Sequence, residues 1–147
     1  MGAACSQGTA NFESRMPCDL SEVRGAASQV RNFLATQGCA ARDINDAALA
    51  VIEACNNAVQ YAEGAGRSLP IFIRLWLEAA GFRIEITDHT SGFDWPHRPA
   101  PPGPEAEQGR GIFLIQSLMD ETRYERGSGQ NTLVLHKRRQ PKQEHFG

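Results

Sequence analysis

The feature that most constrains the fold is residues 43–64, DINDAALAVIEACNNAVQYAEG, whose pattern predicts one long helix. At about 100° per residue, its polar side chains fall on one stripe and its apolar side chains take the rest of the circumference. The stripe, interrupted by Leu49 and Ala50, consists of Asn45, Asp46, Glu53, Asn56, Asn57, Gln60 and Tyr61. We therefore expect a helix that buries most of its surface and leaves one polar face open.

This polar stripe has an unusual composition for a solvated surface. Residues 43–66 contain no Lys or Arg, and two Asn, which are mediocre helix formers, stand side by side at positions 56 and 57. Glu53 and Asn57 lie one turn apart, so a carboxylate and an amide oxygen share one face without a neighbouring cation. Such oxygens suit Mg²⁺, which keeps several waters and shares its shell with substrate phosphates. The alternative interpretation is an amphipathic helix with a solvated face.

The bulk composition is that of an ordinary globular chain. With 147 residues, of which 41% are hydrophobic, the chain is expected to form one domain with a sizeable core. A formal net charge of −2 does not favour a nucleic-acid partner, and no stretch has the apolar length of a membrane span. The four Cys lack a framework spacing, which favours reduced thiols and a cytoplasmic location, and the four His lack the spacing of zinc ligands.

The remaining pattern surrounds the long helix with short strands and two further helices. We predict strands over residues 12–17, 71–78, 82–87, 121–126 and 132–136, and helices from Asp19 or Ser21 to Gly38, from Asp43 to Gly64 and over residues 111–119. This order predicts an α+β fold, a two-layer α/β sandwich with a mostly antiparallel mixed sheet covered on one face by three helices. Residues 11–138 would form the domain, between a disordered lead at 1–10 and a disordered tail at 139–147, with the chain charged and without a packing pattern from Lys137 onward.

Four polar or glycine-rich stretches follow one another along the chain. They are Glu53 and Asn57 on the helix, the stretch DHTSGFD at 88–94 after a strand, Gly109-Arg110-Gly111 before a helix, and Asn131-Thr132 at the last strand. Each alone is weak evidence, because an Asp after a strand is more often a turn residue and Gly-x-Gly usually marks a tight turn. In this order they resemble the boxes of the ATPase domain shared by DNA gyrase, sensor histidine kinases and bacterial anti-sigma factor kinases, the histidine kinase-like ATPase fold.

Within that superfamily the chain is most similar to the anti-sigma factor serine/threonine kinases. These short domains carry EAxxNA, GFD, a GRGxxLI box and MDE, which are present here as EACNNA at 53–58, GFD at 92–94, GRGIFLI at 109–115 and MDE at 119–121. The similarity covers residues 12–138, nearly the whole chain.

The resemblance implies a site for ATP and Mg²⁺. Asp88 would accept a hydrogen bond from the adenine amino group, Gly92 would let the backbone approach the ring, and Thr132 would shape the base pocket. Asn57 would ligate Mg²⁺. Residues 95–108, which include five Pro, would be the family's mobile lid over the nucleotide.

At the phosphate end, the resemblance implies roles for a second group of residues. Gly109 and Gly111 would present amide N–H groups and a helix N-terminus to the phosphates. Arg110 would reach the terminal phosphate, or would be an exposed loop cation. Glu53 would be the catalytic base that withdraws a proton from a Ser or Thr hydroxyl as that oxygen attacks the γ-phosphorus in line.

The chain departs from the family pattern at Thr90, where Gly usually stands. A β-branched residue resists a positive φ, so we expect either a recast loop or weaker nucleotide binding.

The function implied by the resemblance is an ATP-dependent protein-serine/threonine kinase that acts as an anti-sigma factor. It would phosphorylate a small antagonist protein and sequester a sigma factor, and homodimerisation is expected from the resemblance alone. The catalytic part of a histidine kinase is disfavoured, because only about eleven residues precede the first predicted strand, too few for a dimerising helix with its phospho-acceptor His. An alternative of a different class is a non-catalytic binding module of the same fold, in which the nucleotide is structural or absent.

Overall fold

The computed structural model describes residues 10–92, 95 and 107–138. Its strands are Phe12–Met16 (β1), Ile71–Glu78 (β2), Gly81–Asp88 (β3), Glu121–Arg126 (β4) and Asn131–Arg138 (β5). Its helices are Val23–Thr36 (α1), Ala41–Tyr61 (α2) and Glu107–Leu118 (α3), with short 3-10 turns at Leu20–Glu22 and Gly64–Ser68. Of the predicted lead, tail and lid, residues 1–9, 139–147 and 96–106 lie outside the described part. Within that part, no helix is both long and apolar enough to cross a bilayer.

The strands form one sheet in the order β1-β2-β3-β5-β4, and all four pairings are antiparallel. β2 and β3 form the predicted hairpin, which places Leu75 opposite Ile84. β5 pairs with the other side of β3, with Asp88 opposite Asn131 at one end and Phe82 opposite Lys137 at the other. The helices pack on one face of this sheet, so the predicted α+β two-layer fold is confirmed.

The core lies between the sheet and α2. Alternate strand residues face the helices and are buried, namely Ile71, Ile73, Leu75, Phe82, Ile84, Ile86, Leu133 and Leu135. The apolar side of α2 faces them with small side chains such as Ala47, Ala54 and Ala58. Burial raises the pKa of the Cys55 thiol to about 12, so Cys55 acts here as a small apolar core residue.

The opposite face of the sheet is covered by its own side chains. Arg83 lies over Trp76, with 4.3 Å between the guanidinium carbon and the ring centroid, and its Nε lies 3.3 Å from Glu85 Oε2. The hydroxyls of Thr87 and Thr132, a cross-strand pair, share a hydrogen bond of 3.0 Å on the same face. Long amphipathic side chains cover the strands here, and therefore a single layer of helices is sufficient.

Two contacts fix the direction of α2 across the sheet. Near its start, Asp46 Oδ2 lies 2.9 Å from Nζ of Lys137, which is paired with Phe82 at the beginning of β3. Beyond its end, the 3-10 turn brings Gly66 against His89, such that a Cβ at Gly66 would lie 2.5 Å from the His89 carbonyl oxygen. The helical rise from Asp46 to the end of α2 is about 23 Å, close to the roughly 20 Å of β3. The second half of α2 therefore runs toward the Asp88 end of β3.

The prediction of an unpacked tail from Lys137 onward is wrong. Lys137 belongs to β5, is only 9% exposed, and donates both to Asp46 and to the carbonyl of Leu118, the latter at 2.6 Å. Leu118 ends α3, where a cation satisfies an orphan carbonyl and the negative end of the helix dipole. The sequence pattern did not indicate this packing role, because a Lys is usually exposed. A Lys can nevertheless be buried when its ammonium is fully partnered.

The helix starts also differ in part from the prediction. Asp19 does cap the first helical segment, accepting a hydrogen bond of 2.9 Å from the Ser21 N–H. Asp43, in contrast, does not open the second helix, because α2 begins at Ala41 and Asp43 lies buried in its first turn. An acidic residue is favourable both at the N-cap and within the first turn, so the pattern did not separate the two positions.

α3 begins at Glu107, four residues before the predicted start at Gly111. The prediction placed Gly109-Arg110-Gly111 before the helix, and glycine inside a helix costs about 1 kcal/mol relative to Ala. Both glycines nevertheless lie within the helix, and Gly111 is in close contact with α2. Helix packing thus outweighs the intrinsic preference of the two glycines.

We expect Lys137→Met to destabilise the domain by about 2 kcal/mol, because it leaves Asp46 and the Leu118 carbonyl without their shared donor. Denaturant unfolding should show this loss of free energy. Thermal unfolding should show a fall in melting temperature of roughly 6–10 °C. The matched control is Arg123→Met, which removes the pair with Glu125 on β4, where both side chains are more than half exposed. That control should cost less than about 0.5 kcal/mol. Equal losses in both variants would contradict a special role for Lys137.

Candidate functional site

The first group of site residues lies where α3 meets α2. A Cβ atom at position 111 would lie 3.0 Å from Glu53 Oε2, 3.6 Å from Asn57 Oδ1 and 3.7 Å from Asn57 Nδ2. Glu53 and Asn57 therefore share one face of α2, as the helical spacing predicts, and both border the backbone of Gly111. Any side chain at position 111 would crowd the two polar groups, so glycine permits this approach.

Asn57 and Glu53 differ in burial but are alike in lacking protein partners. Asn57 is 5% exposed, and Glu53 is partly exposed. Within the described ranges, no residue forms a hydrogen bond or ion pair with either side chain. The amide of Asn57 and the carboxylate of Glu53 are therefore available to a ligand. An amide oxygen one turn from a carboxylate is a donor set that suits a hard cation.

No cluster of three or more His, Cys, Asp and Glu that could hold a metal ion occurs in the described part of the chain. The donors near Asn57 thus fit an ion that receives most of its ligands from phosphates and water, as Mg²⁺ commonly does.

The second group of site residues lies at the end of β3. Asp88 is 5% exposed, and its Oδ1 accepts hydrogen bonds from the Thr90 N–H (3.1 Å), the Thr90 hydroxyl (2.9 Å) and Asn131 Nδ2 (3.0 Å). Asn131 Nδ2 also donates to the carbonyl of Thr90 at 2.9 Å. Asp88, Thr90 and Asn131 therefore form one buried network that joins the end of β3 to the start of β5.

The prediction that Thr132 shapes the pocket beside Asp88 is wrong. Side chains alternate across a strand, so Thr132 shares a face with Thr87, its hydrogen-bonded partner on the outer side of the sheet. Asn131 faces inward, opposite Asp88. The sequence did carry this signal, because Asn131 is in phase with the core residues Leu133 and Leu135, whereas Thr132 is not.

The backbone at Thr90 agrees with the first of the two expectations, a loop recast to avoid a positive φ at this β-branched residue. No residue other than glycine has a positive φ in the described part of the chain, so Thr90 sits in an ordinary backbone conformation. Its hydroxyl also accepts a hydrogen bond of 3.0 Å from the Gly92 N–H. The loop therefore accommodates the β-branched side chain without backbone strain, and the effect of Thr90 on nucleotide affinity stays a prediction.

Gly92 takes up the left-handed conformation in this loop, with φ +87°. Its open side is occupied by Arg126, since a Cβ at Gly92 would lie 2.6 Å from Arg126 Nε. Arg126 Nη2 donates to the Ser91 carbonyl at 3.0 Å and so links the end of β4 to the loop. We did not predict Arg126 from the sequence, because an exposed arginine at a strand end carries no local signal.

The remaining predicted residues lie at the start of α3 and in the loop before it. Gly109 and Arg110 belong to the first turn of α3, whose N–H groups have no partners within the helix. The side chain of Arg110, together with Phe93 and Asp94, lies outside the described residues. Trp95 is stacked on Tyr124, with ring centroids 5.9 Å apart.

The two groups of residues lie on elements that pack against each other. α2 packs against β3 and β5, the strands that carry Asp88 and Asn131, and its polar end runs toward Asp88. Cys18, in the segment before α1, lies close enough to Asp88 to sense its charge. Burial raises the pKa of the Cys18 thiol, Arg67 lowers it, and the charges of Asp19 and Asp88 raise it further.

Comparison with known proteins identifies relatives of the whole domain. The family described as the histidine kinase-like ATPase domain matches residues 16–137. The chain is 31% identical over 129 residues to the serine-protein kinase RsbW of Staphylococcus aureus (strain JH9), covering 80% of each chain. It is 26% identical over 127 residues to the serine-protein kinase RsbW of Bacillus velezensis, covering 80% of this chain and 79% of that protein.

Two solved structures share the fold. One is the RsbU and RsbW domains of a Mycobacterium tuberculosis protein, with a TM-score of 0.69 and 22% identity, covering 88% of this chain and 33% of that longer chain. The other is the SiaB–SiaC complex of Pseudomonas aeruginosa, with a TM-score of 0.68 and 13% identity, covering 92% of this chain and 94% of that chain.

We expect Gly111→Ala to disturb Glu53 and Asn57, because the new methyl group would lie 3.0 Å from Glu53 Oε2. The side-chain amide signals of Asn57 in a two-dimensional NMR spectrum should shift. The matched control is Gly25→Ala in α1, where a Cβ meets no atom within 4 Å. This control should stabilise the domain by about 0.5–1 kcal/mol through helix preference and leave the Asn57 signals in place. An unshifted Asn57 in Gly111→Ala would contradict the contact.

Proposed function

The chain belongs to the histidine kinase-like ATPase domain family, and on that premise we propose that it is an ATP-dependent protein-serine/threonine kinase that acts as an anti-sigma factor. One observation carries the proposal. Glu53 and Asn57, polar and without protein partners among the described residues, lie against Gly111 near the N-terminus of α3. This arrangement places a carboxylate and a buried amide where a helix end favours phosphate.

The nucleotide would lie between the two groups of site residues. Asp88 would receive the adenine amino group, with Gly92 in the loop beside the base. The phosphates would lie at the first turn of α3, near Gly109 and Gly111, with Arg110 directed to the terminal phosphate. Asn57 would hold Mg²⁺, which when bound neutralises phosphate charge as it develops during transfer.

Glu53 would be the catalytic base. Its carboxylate would accept the proton of a substrate Ser or Thr hydroxyl while that oxygen forms a bond to the γ-phosphorus. The bond from the γ-phosphorus to the β,γ-bridging oxygen breaks in the same step, and ADP leaves. Orientation of the hydroxyl and the phosphates should contribute more to the rate than the proton transfer itself.

The protein substrate would be a small antagonist, and the second partner would be a sigma factor that the kinase sequesters. Support comes from relatives of similar length that are named serine-protein kinases, at 31% and 26% identity over most of both chains. In this proposal the domain acts in the cytoplasm as a homodimer. The alternative is a non-catalytic binding module of the same fold, and the nucleotide-binding measurement below separates it from the kinase.

We expect Glu53→Gln to retain ATP binding and to lower the phosphotransfer rate by about 10²–10⁴-fold, because the amide cannot accept the hydroxyl proton. The assay uses labelled ATP, Mg²⁺ and the antagonist encoded beside the kinase gene, with the phosphorylated residue identified by mass spectrometry. Glu63→Gln, an exposed position just beyond α2, is the charge-matched control and should transfer phosphate at the wild-type rate. Full activity in Glu53→Gln would reject Glu53 as the base.

We expect Asn57→Ala to weaken binding of ATP in the presence of Mg²⁺ by about tenfold or more, a loss of one ligand to the ion. The matched control is Asn56→Ala, the neighbouring asparagine, which should bind as the wild type does. Thermal shift provides the measurement, since a ligand at a hundred times its dissociation constant stabilises by about 2.7 kcal/mol. A wild-type protein without any shift would contradict the kinase and favour the binding module.

A further inference from the structure

We propose that Thr90 and Asn131 are positioning residues that present one oxygen of Asp88 to a purine amino group, and so select ATP against 6-oxo purine nucleotides. The inference rests on the proposed nucleotide site. It assigns selectivity to two residues that act through Asp88.

The hydrogen atoms around Asp88 can be assigned one by one. The Thr90 N–H and hydroxyl each have one hydrogen, and both are directed to Asp88 Oδ1, at 3.1 and 2.9 Å. The two hydrogens of Asn131 Nδ2 serve the Thr90 carbonyl at 2.9 Å and Asp88 Oδ1 at 3.0 Å, with Thr90 Oγ1 as a longer third contact at 3.3 Å. Every donor in the network is therefore committed to Oδ1 or to the loop itself.

Asp88 Oδ2 is the oxygen that this network leaves for a ligand. Within the described ranges, no donor reaches Oδ2, although Asp88 is 5% exposed. A carboxylate oxygen that only accepts favours a ligand N–H and disfavours a ligand carbonyl oxygen. Discrimination of this kind is strong when a site built to accept a hydrogen bond meets an analogue without the donor.

The hydroxyl of Thr90 also determines where Asp88 points. It donates to Asp88 and accepts from the Gly92 N–H at 3.0 Å, so it joins the carboxylate to the left-handed turn. A glycine at position 90 could make only the N–H contact, and Asp88 would then rotate more freely about χ1 and χ2. Thr90 thus pre-organises the acceptor, and its replacement by glycine should weaken selectivity.

The test compares binding of ATP and inosine triphosphate, each with Mg²⁺, by calorimetry. Inosine triphosphate has a 6-oxo group in place of the amino group, and the wild type should prefer ATP. Thr90→Val keeps the side-chain shape but removes the hydroxyl, so ATP should bind about tenfold more weakly while inosine triphosphate changes by less than about twofold. Thr90→Gly should resemble Thr90→Val. Thr90→Ser, which restores the hydroxyl, should bind both nucleotides as the wild type does.

The second arm uses neighbouring positions on the two faces of β5. Asn131→Leu removes the Nδ2 donor at similar volume and should lower the preference for ATP, as Thr90→Val does. Thr132→Val is the matched control, since its hydroxyl contacts Thr87 on the outer face, and it should leave both affinities unchanged. A melting temperature without nucleotide close to that of the wild type verifies that each variant is folded.

The outcomes separate this inference from the proposed function. A wild type that binds neither nucleotide rejects the proposed function itself. A wild type that binds both equally, or Thr90→Val and Asn131→Leu variants that keep the full preference for ATP, would overturn the assignment of Thr90 and Asn131 while leaving the kinase intact.

Discussion

The positions of α2 and α3 on the sheet depend on one buried ammonium group. Lys137 on β5 contacts Asp46 near the start of α2 and the last carbonyl of α3, so one side chain fixes both helices over the same strand. Once α3 is held at its C-terminal end, its first turns reach α2 at Glu53 and Asn57, where Gly111 allows close approach. The same strand ends in Asn131, which holds Asp88. The site at one end of the sheet is thus positioned by an ion pair at the other end.

Much of the fold could be predicted from periodicity. The long helix, the β2–β3 hairpin and the last two strands follow from apolar spacing that matches one secondary structure and no other. The boundaries of α2 and α3 could not, because the first turn of a helix accepts acidic residues and glycines that also mark its start. Lys137 was missed for a different reason, since its burial depends on Asp46 and Leu118, which are distant in sequence.

The candidate site shows the same division. Spacing alone placed Glu53 and Asn57 on one face, and the structure adds Gly111 as their neighbour. At the other side of the site, motif order pointed to Thr132, whereas strand alternation brings Asn131 to Asp88. Thr90 illustrates the limit of comparing residue types: the position suggested a strained backbone, but the chain keeps an ordinary φ there and uses the hydroxyl as a link between Asp88 and Gly92.

The pairing of β3 with β5 affects how this protein folds. Asp88 meets Asn131 in the same register that sets Ile84 against Leu135 and Ile86 against Leu133. A slip of β5 by one residue would expose its leucines to solvent. It would also replace Asn131 by Thr132 beside Asp88. A misregistered chain would therefore lose the contact between Asp88 and Asn131 together with its core. Binding of a ligand at Asp88 would then require the correct pairing of β3 with β5, and molecules with the wrong pairing would not bind it.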